Sequence, residues 1–195
     1  MRIKTAFLIM PSTFKTLILA LLITFSFLAV GKVANASLSE ERVDNKWVVD
    51  KVTDEMVYAS INGGVIYGDR LMIILQRGSC ENGIMATTVY SYMEPAVVSK
   101  LDGKSITALL DGRELEVSVV KTFPFLMGSH SLVEIMNISI KNFLKTIPED
   151  YTLELQYKDT PIGDVKNFFD IDHNNWKMTG VISAVQRAQK ICKSL

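Results

Sequence analysis

Histidine occurs only twice in this chain, cysteine only twice and proline five times. With His130 and His173 as the sole imidazoles and no C-x-x-C, the chain lacks the ligand sets of a zinc site and the pair of a redox-active dithiol. There is no G-x-S-x-G, so the nucleophile elbow of a serine hydrolase is missing. The formal charge is zero and the 21 cations are scattered, which leaves no clustered basic face for nucleic acid. Beyond residue 36 no apolar run approaches the ~20 residues that span a bilayer. Long internal repeats, linkers and low-complexity stretches are also missing.

What is present begins at the N-terminus. Arg2, Lys4 and Lys15 precede an apolar run over residues 17–30, and Ala34 and Ala36 follow as an A-x-A exit. A positive region, a short apolar region and a small-residue exit are the parts of a secretory signal peptide. Residues 1–36 are therefore expected to be cleaved after Ala36, leaving a periplasmic or secreted protein without stable membrane insertion. A retained N-terminal anchor is the alternative, because residues 6–10 add apolar length upstream. Cleavage removes Arg2, Lys4, Lys15 and Lys32 and no acid, so the balance moves from zero to −4.

Export changes how the two cysteines are read. An even count in an oxidising compartment argues for a disulfide, and Cys80 with Cys192 is the one internal pairing available. Two buried free thiols are the alternative.

Residues 37–45 are polar and charged and read as a flexible lead-in to one β-rich domain over 46–195. Residues 56–61 read as a strand, and Asn62-Gly63-Gly64 as a turn with residues 65–67 returning as its hairpin partner. Residues 71–75 are apolar on both faces, as a central strand requires, and residues 86–93 follow as another strand. The clearest hairpin is 105–110 and 114–120 around Asp111-Gly112, a dipeptide suited to the positive φ values of a type I′ turn. Residues 122–129 are too irregular to assign.

The period then changes. Leu132, Val133, Met136, Ile140, Phe143, Leu144 and Ile147 share a helical stripe, with Ser131 and Glu134 as a capping box. This predicts a helix over 131–147, against the mediocre helix propensity of its β-branched residues. Strands are expected at 151–157 and 165–171, and a turn at 172–175. Residues 179–193 form an amphipathic final helix, with Val181, Val185, Ala188 and Cys192 on one face. The sum is an α+β fold: mainly an antiparallel β sandwich or barrel-like sheet, with one internal helix and a C-terminal helix.

Few constellations carry chemistry. Asp170-Ile171-Asp172-His173-Asn174 begins like a calcium loop, but Asn175 replaces the glycine at loop position six and Val181 the glutamate at position twelve, so no metal or other cofactor is expected. Gly128-Ser129-His130-Ser131 reads as a helix entry rather than a nucleophile. Glu114, Glu116 and Glu154 lie on strands with nothing to fix a catalytic separation. Tyr58, Tyr67, Tyr90 and Tyr92 lie on or near the early strands and form a candidate partner surface if some share an exposed face; ordinary core and sheet-surface tyrosines are the alternative.

The order of Trp47-Val48-Val49, residues 71–75 followed by Cys80, residues 144–147 followed by 151–155, and Phe168-Phe169 with Gly180, Ala184 and Cys192 resembles the invasion-associated locus B family of small exported proteins of Gram-negative bacteria. The spacing before Cys80 and the loop around residues 123–127 depart from that pattern. The resemblance implies an exported β-rich domain of the envelope or of host colonisation, and it brings no catalytic residues with it. The expected function is a non-enzymatic one, through contacts with a protein partner in the envelope, a secretion system or a host. A membrane-tethered accessory subunit and a hydrolase with an unrecognised carboxylate site are the rivals.

Overall fold

Alternation of β-branched and polar residues builds most of the molecule. A computed structural model describes residues 41–43, 46–66, 68–148 and 150–195, all within one compact unit, Leu38–Leu195. The first five strands are β1 (Glu41–Val43), β2 (Trp47–Thr53), β3 (Met56–Asn62), β4 (Arg70–Gln76) and β5 (Asn82–Ser91). They form an antiparallel meander in which each strand pairs with the next. A short helix α1 (Pro95–Val98) and a 3-10 turn (Ser99–Leu101) carry the chain away from β5. It returns as β6 (Ser105–Leu110), β7 (Arg113–Phe125) and β8 (Gly128–Ser139), and β8 lies against β5. Helix α2 (Ile140–Thr146) follows, then β9 (Thr152–Tyr157), the small ribbon of β10 (Asp159–Thr160) and β11 (Gly163–Asp164), β12 (His173–Lys177) and helix α3 (Val181–Cys192). The main sheet has ten strands in the order β1-β2-β3-β4-β5-β8-β7-β6-β9-β12.

That sheet curls until its last strand reaches the β3–β4 connection. Gly64 N–H donates to the Asn175 carbonyl at 2.8 Å, Val65 N–H to Asn174 Oδ1 at 3.0 Å, and Trp176 Nε1–H to the Asp69 carbonyl at 3.3 Å. The architecture is thus barrel-like, and the α+β class with a closing helix is as expected. Registers Val57↔Leu75, Ala59↔Ile73 and Ile61↔Leu71 stack one buried face. Helix α3 packs on β2, β3 and β4 with Val181, Ala184, Val185, Ala188 and Cys192 buried. Its two alanines keep the helix axis close to the strands. One continuous core results, with Trp47, Phe169 and Trp176 among its largest members.

Cys80 and Cys192 form the disulfide, with S–S 1.99 Å and Cα–Cα 5.8 Å. It pins the end of α3 to the turn after β4, where Gln189 Nε2 also donates to the Cys80 carbonyl at 3.1 Å and Lys193 pairs with Glu81 at 2.6 Å. The lysine contact holds the Glu81 carboxyl below its ordinary pKa.

Five local expectations are corrected. Residues 131–139 are not helix but the second half of β8, where Ser131, Val133 and Ile135 alternate inward. Strand β5 pairs along the segment and β7 along its first part, as far as Glu134, and this pairing settles a β-branched run that helical spacing alone misreads. The Ser131 hydroxyl meets Thr122 Oγ1 at 3.0 Å instead of capping a helix, and the internal helix begins at Ile140. Val65 and Ile66, the described part of the expected return strand, do not pair with β3, whose neighbours are β2 and β4. Residues 165–171 are not a strand: Val165–Asn167 is a 3-10 turn that buries Phe168 and Phe169. Residues 172–175 are not a turn, because His173 opens β12 and Asn174 faces inward, bonded to the β3–β4 connection. Part of the flexible lead-in is ordered too, since Glu41–Val43 pairs with β2. The signal segment with Ala34 and Ala36 lies outside the described residues.

Candidate functional site

Strands β7 and β8 outrun β6, whose pairing with β7 ends at Ser105↔Ser118, and join through two residues, Leu126 and Met127, between the pair Phe125↔Gly128. A two-residue hairpin connection normally places glycine, asparagine or aspartate where φ is positive. Here Leu126 takes φ 48°, a conformation costly for a side chain of its size. The residues 122–129 that resisted assignment are this hairpin end. Its apex is apolar: Leu126 is 87% exposed and Met127 84%.

The pairing Tyr90↔His130↔Phe123 across β5, β8 and β7 sets aromatic rings behind the apex. Phe125 stacks on His130 with centroids 4.4 Å apart and planes within 6°. Tyr90 meets Tyr92, Phe125 and His130 edge-on at 5.1, 6.2 and 5.6 Å. Offset and edge contacts of this kind suit the ring quadrupole and order the cluster. Burial depresses the His130 pKa, with Arg70 adding to the effect, so the ring is neutral at pH 7. Tyr92 remains 69% exposed and Phe125 45%.

Two carboxylates hold this end of β5. Asp69 Oδ1 accepts the Tyr90 N–H at 2.7 Å, and Asn174 Nδ2 donates to its other oxygen at 3.4 Å. Burial pushes the Asp69 pKa up to about 6, against the lowering effect of those two donors. Asp170 Oδ1 accepts the Tyr92 N–H at 3.0 Å and the Ser91 hydroxyl. Gly128 completes the seat, because a Cβ there would overlap the Ser91 carbonyl and the Tyr92 backbone.

Of the four tyrosines singled out from the sequence, Tyr90 and Tyr92 come together. Tyr58 does not join them. It bonds Asp50 at 3.3 Å and lies in register with Ile74 and thence Ile84, six positions from Tyr90 along β5, or ~20 Å at strand rise. Tyr67 lies outside the described residues. Sequence reasoning missed Phe125, Leu126, Met127 and His130; the available signal was an apolar Phe-Pro-Phe-Leu-Met run at a turn, where polar residues are usual.

The other candidates resolve into structure. Asp170 serves Ser91 and Tyr92, Asp172 pairs with His173 at 3.0 Å, and Asn174 is in β12, so the calcium-like run is divided between a loop and a strand. Among the described residues no three His, Cys, Asp or Glu stand close enough to share a metal ion. Glu114 and Glu116 on β7 are separated from Glu154 on β9 by the intervening β6. No helix among the described residues is long and apolar enough to cross a membrane. Compared with known proteins, the chain matches no family model, no curated protein and no solved structure.

Proposed function

We propose that this is an exported, non-catalytic binding protein of the envelope or of host contact, in the manner of the invasion-associated locus B family, and that it engages a protein partner through the β7–β8 apex. The observation that carries the reading is the exposure of Tyr92, Phe125, Leu126 and Met127 at one point of the surface. Large apolar and aromatic side chains exposed together, on a backbone held rigid behind them, are what interface anchors look like before they are buried. Leu126 keeps a positive φ that glycine would take at no cost, which favours a role for its side chain outside the fold.

The test is a photo-cross-linking amino acid at position 127 in the full-length gene, expressed in its native cell. One protein adduct of discrete mass, lost when Leu126→Asp is added, is the expected result. Position 126 is exposed and aspartate tolerates its positive φ, so Leu126→Asp should leave the far-UV spectrum unchanged and the urea midpoint no lower. Unaltered cross-linking by the Leu126→Asp protein, or adducts only to phospholipid, would overturn the protein-partner reading.

A further inference from the structure

At the end of the curled sheet opposite the apex, two adjoining cavities are lined largely by apolar side chains. A cavity of about 580 Å³ lies between α2 and the Asp111-Gly112 turn, with Met85, Met136, Ile138, Phe143, Ile147 and Leu153 as its apolar wall. A second lobe of about 360 Å³ shares Asp111, Arg113, Met136 and Tyr151 with it. Mouths of barrel-like sheets lined by apolar side chains and a few convergent polar groups, on this scale of volume, are a usual place for small ligands.

Two features show that this mouth is more than a gap in packing. The β5–β8 register shifts between Met85 and Ala86, and a bulge at a barrel rim re-aims the side chains beside it. Met136, opposite Met85, is left 36% exposed on the cavity wall. Two methionines among six wall residues give a surface that re-packs around a flexible apolar chain.

The polar groups specify charge. Asp111 is the only carboxylate lining the larger cavity, and both its oxygens are engaged: Oδ1 by the Glu154 N–H at 3.0 Å and Oδ2 by the Tyr151 hydroxyl. Burial, with the Asp111 contact behind it, pushes the Tyr151 pKa up to about 12, so the phenol stays a donor. Arg113 is the only cation lining either lobe, and none of the ion pairs among the described residues includes it. Glu114 lines the smaller lobe alone. These neutral donors fix the Asp111 carboxylate without cancelling its charge, so the larger cavity is balanced in charge, and Arg113 at its rim is the cation left outside the ion pairs of the described residues, above an apolar wall.

We propose that this mouth binds a small amphipathic anion, an unbranched apolar tail with a carboxylate head, with the head on the Arg113 guanidinium and the tail against Met85, Met136 and Phe143. A guanidinium offers a carboxylate two parallel donors, and methionine with aliphatic and aromatic neighbours accepts an alkyl chain without demanding a fixed shape.

The probe is decanoate, with decanol as its uncharged counterpart, added to mature protein carrying ¹³C-methyl methionine. Saturable shifts of the Met85 and Met136 methyl signals, with Met127 at the far apex unmoved, are expected. Arg113→Gln should weaken decanoate at least tenfold and leave decanol unchanged. Met136→Gln should weaken both, and as a partly exposed residue it tests the wall without threatening the fold. Non-saturating shifts of all methionines, a response led by Met127, or equal decanoate affinity in Arg113→Gln would each overturn the assignment. The outcome is independent of the apex, which neither probe variant touches.

Discussion

Asp69 shows how one residue sets the pH response of the fold. Its carboxyl titrates near 6 in the native state, against 3.8 in an unfolded chain, because burial penalises the anion. The folded state thus binds the proton more tightly, and this group's contribution to stability is full below about 4 and falls away as pH rises to about 6. A shift of this size corresponds to about 3 kcal/mol. His130 acts in the opposite sense, since its depressed pKa costs stability as pH falls through its ordinary value. The Asp69 contribution is isolated by comparing urea midpoints of the native chain and Asp69→Asn from pH 4 to pH 7. The variant should lack the downward slope that Asp69 imparts. Gly128 makes a simpler case: Gly128→Ala forces a methyl into the Ser91 carbonyl, and a loss of about 1–3 kcal/mol is expected from the same measurement. Leu126→Gly should do the reverse, raising stability by about 1 kcal/mol through relief of its positive φ, while removing apolar surface from the apex.

Among the elements, helix α3 depends most on a single bond. Replacing Cys80 and Cys192 by serine opens a loop of 112 residues, which the chain-entropy account values at on the order of 4–5 kcal/mol. A matching drop in the urea midpoint, reproduced by reduction of the native protein, is the expected outcome. This pairing was legible in the sequence because an expected export signal favours a disulfide and two cysteines allow one internal pairing. The β6–β7 hairpin was legible because Asp111, at φ 51°, and Gly112, at φ 74°, are the residues its turn demands. Strand β8 was not legible, since one partner that decides it, β5, lies up to 57 residues away in sequence (Asn82↔Ser139), and the other, β7, ends in the run that resisted assignment. Nor was β12: Asp172-His173-Asn174-Asn175 has the composition of a turn, and only the distant β3–β4 connection makes an inward asparagine worthwhile. The apex was hidden for a related reason. Tyr90 and Phe125 become neighbours through β8, the one strand whose period was misread.

For the molecule as a whole, the first test is whether residues 1–36 are removed. Mass analysis of the protein recovered from its native compartment should place the first residue at Ser37, and a retained Met1 would make it a tethered subunit instead. The two ends of the curled sheet then have separate characters. One presents an apolar, aromatic apex with little charge; the other opens onto a cavity with Asp111 and Arg113 at its rim. The contacts that draw the sheet round come late in the chain. Gly64 waits for Asn175, Asp69 for Trp176, and Cys80 for Cys192. A chain emerging N-terminus first holds β1 to β9 before it possesses anything to close them. Closure of the sheet therefore waits on residues 173–195, and a chain cut before His173 should leave the β3–β4 connection unpaired and the Cys80 thiol open to alkylation.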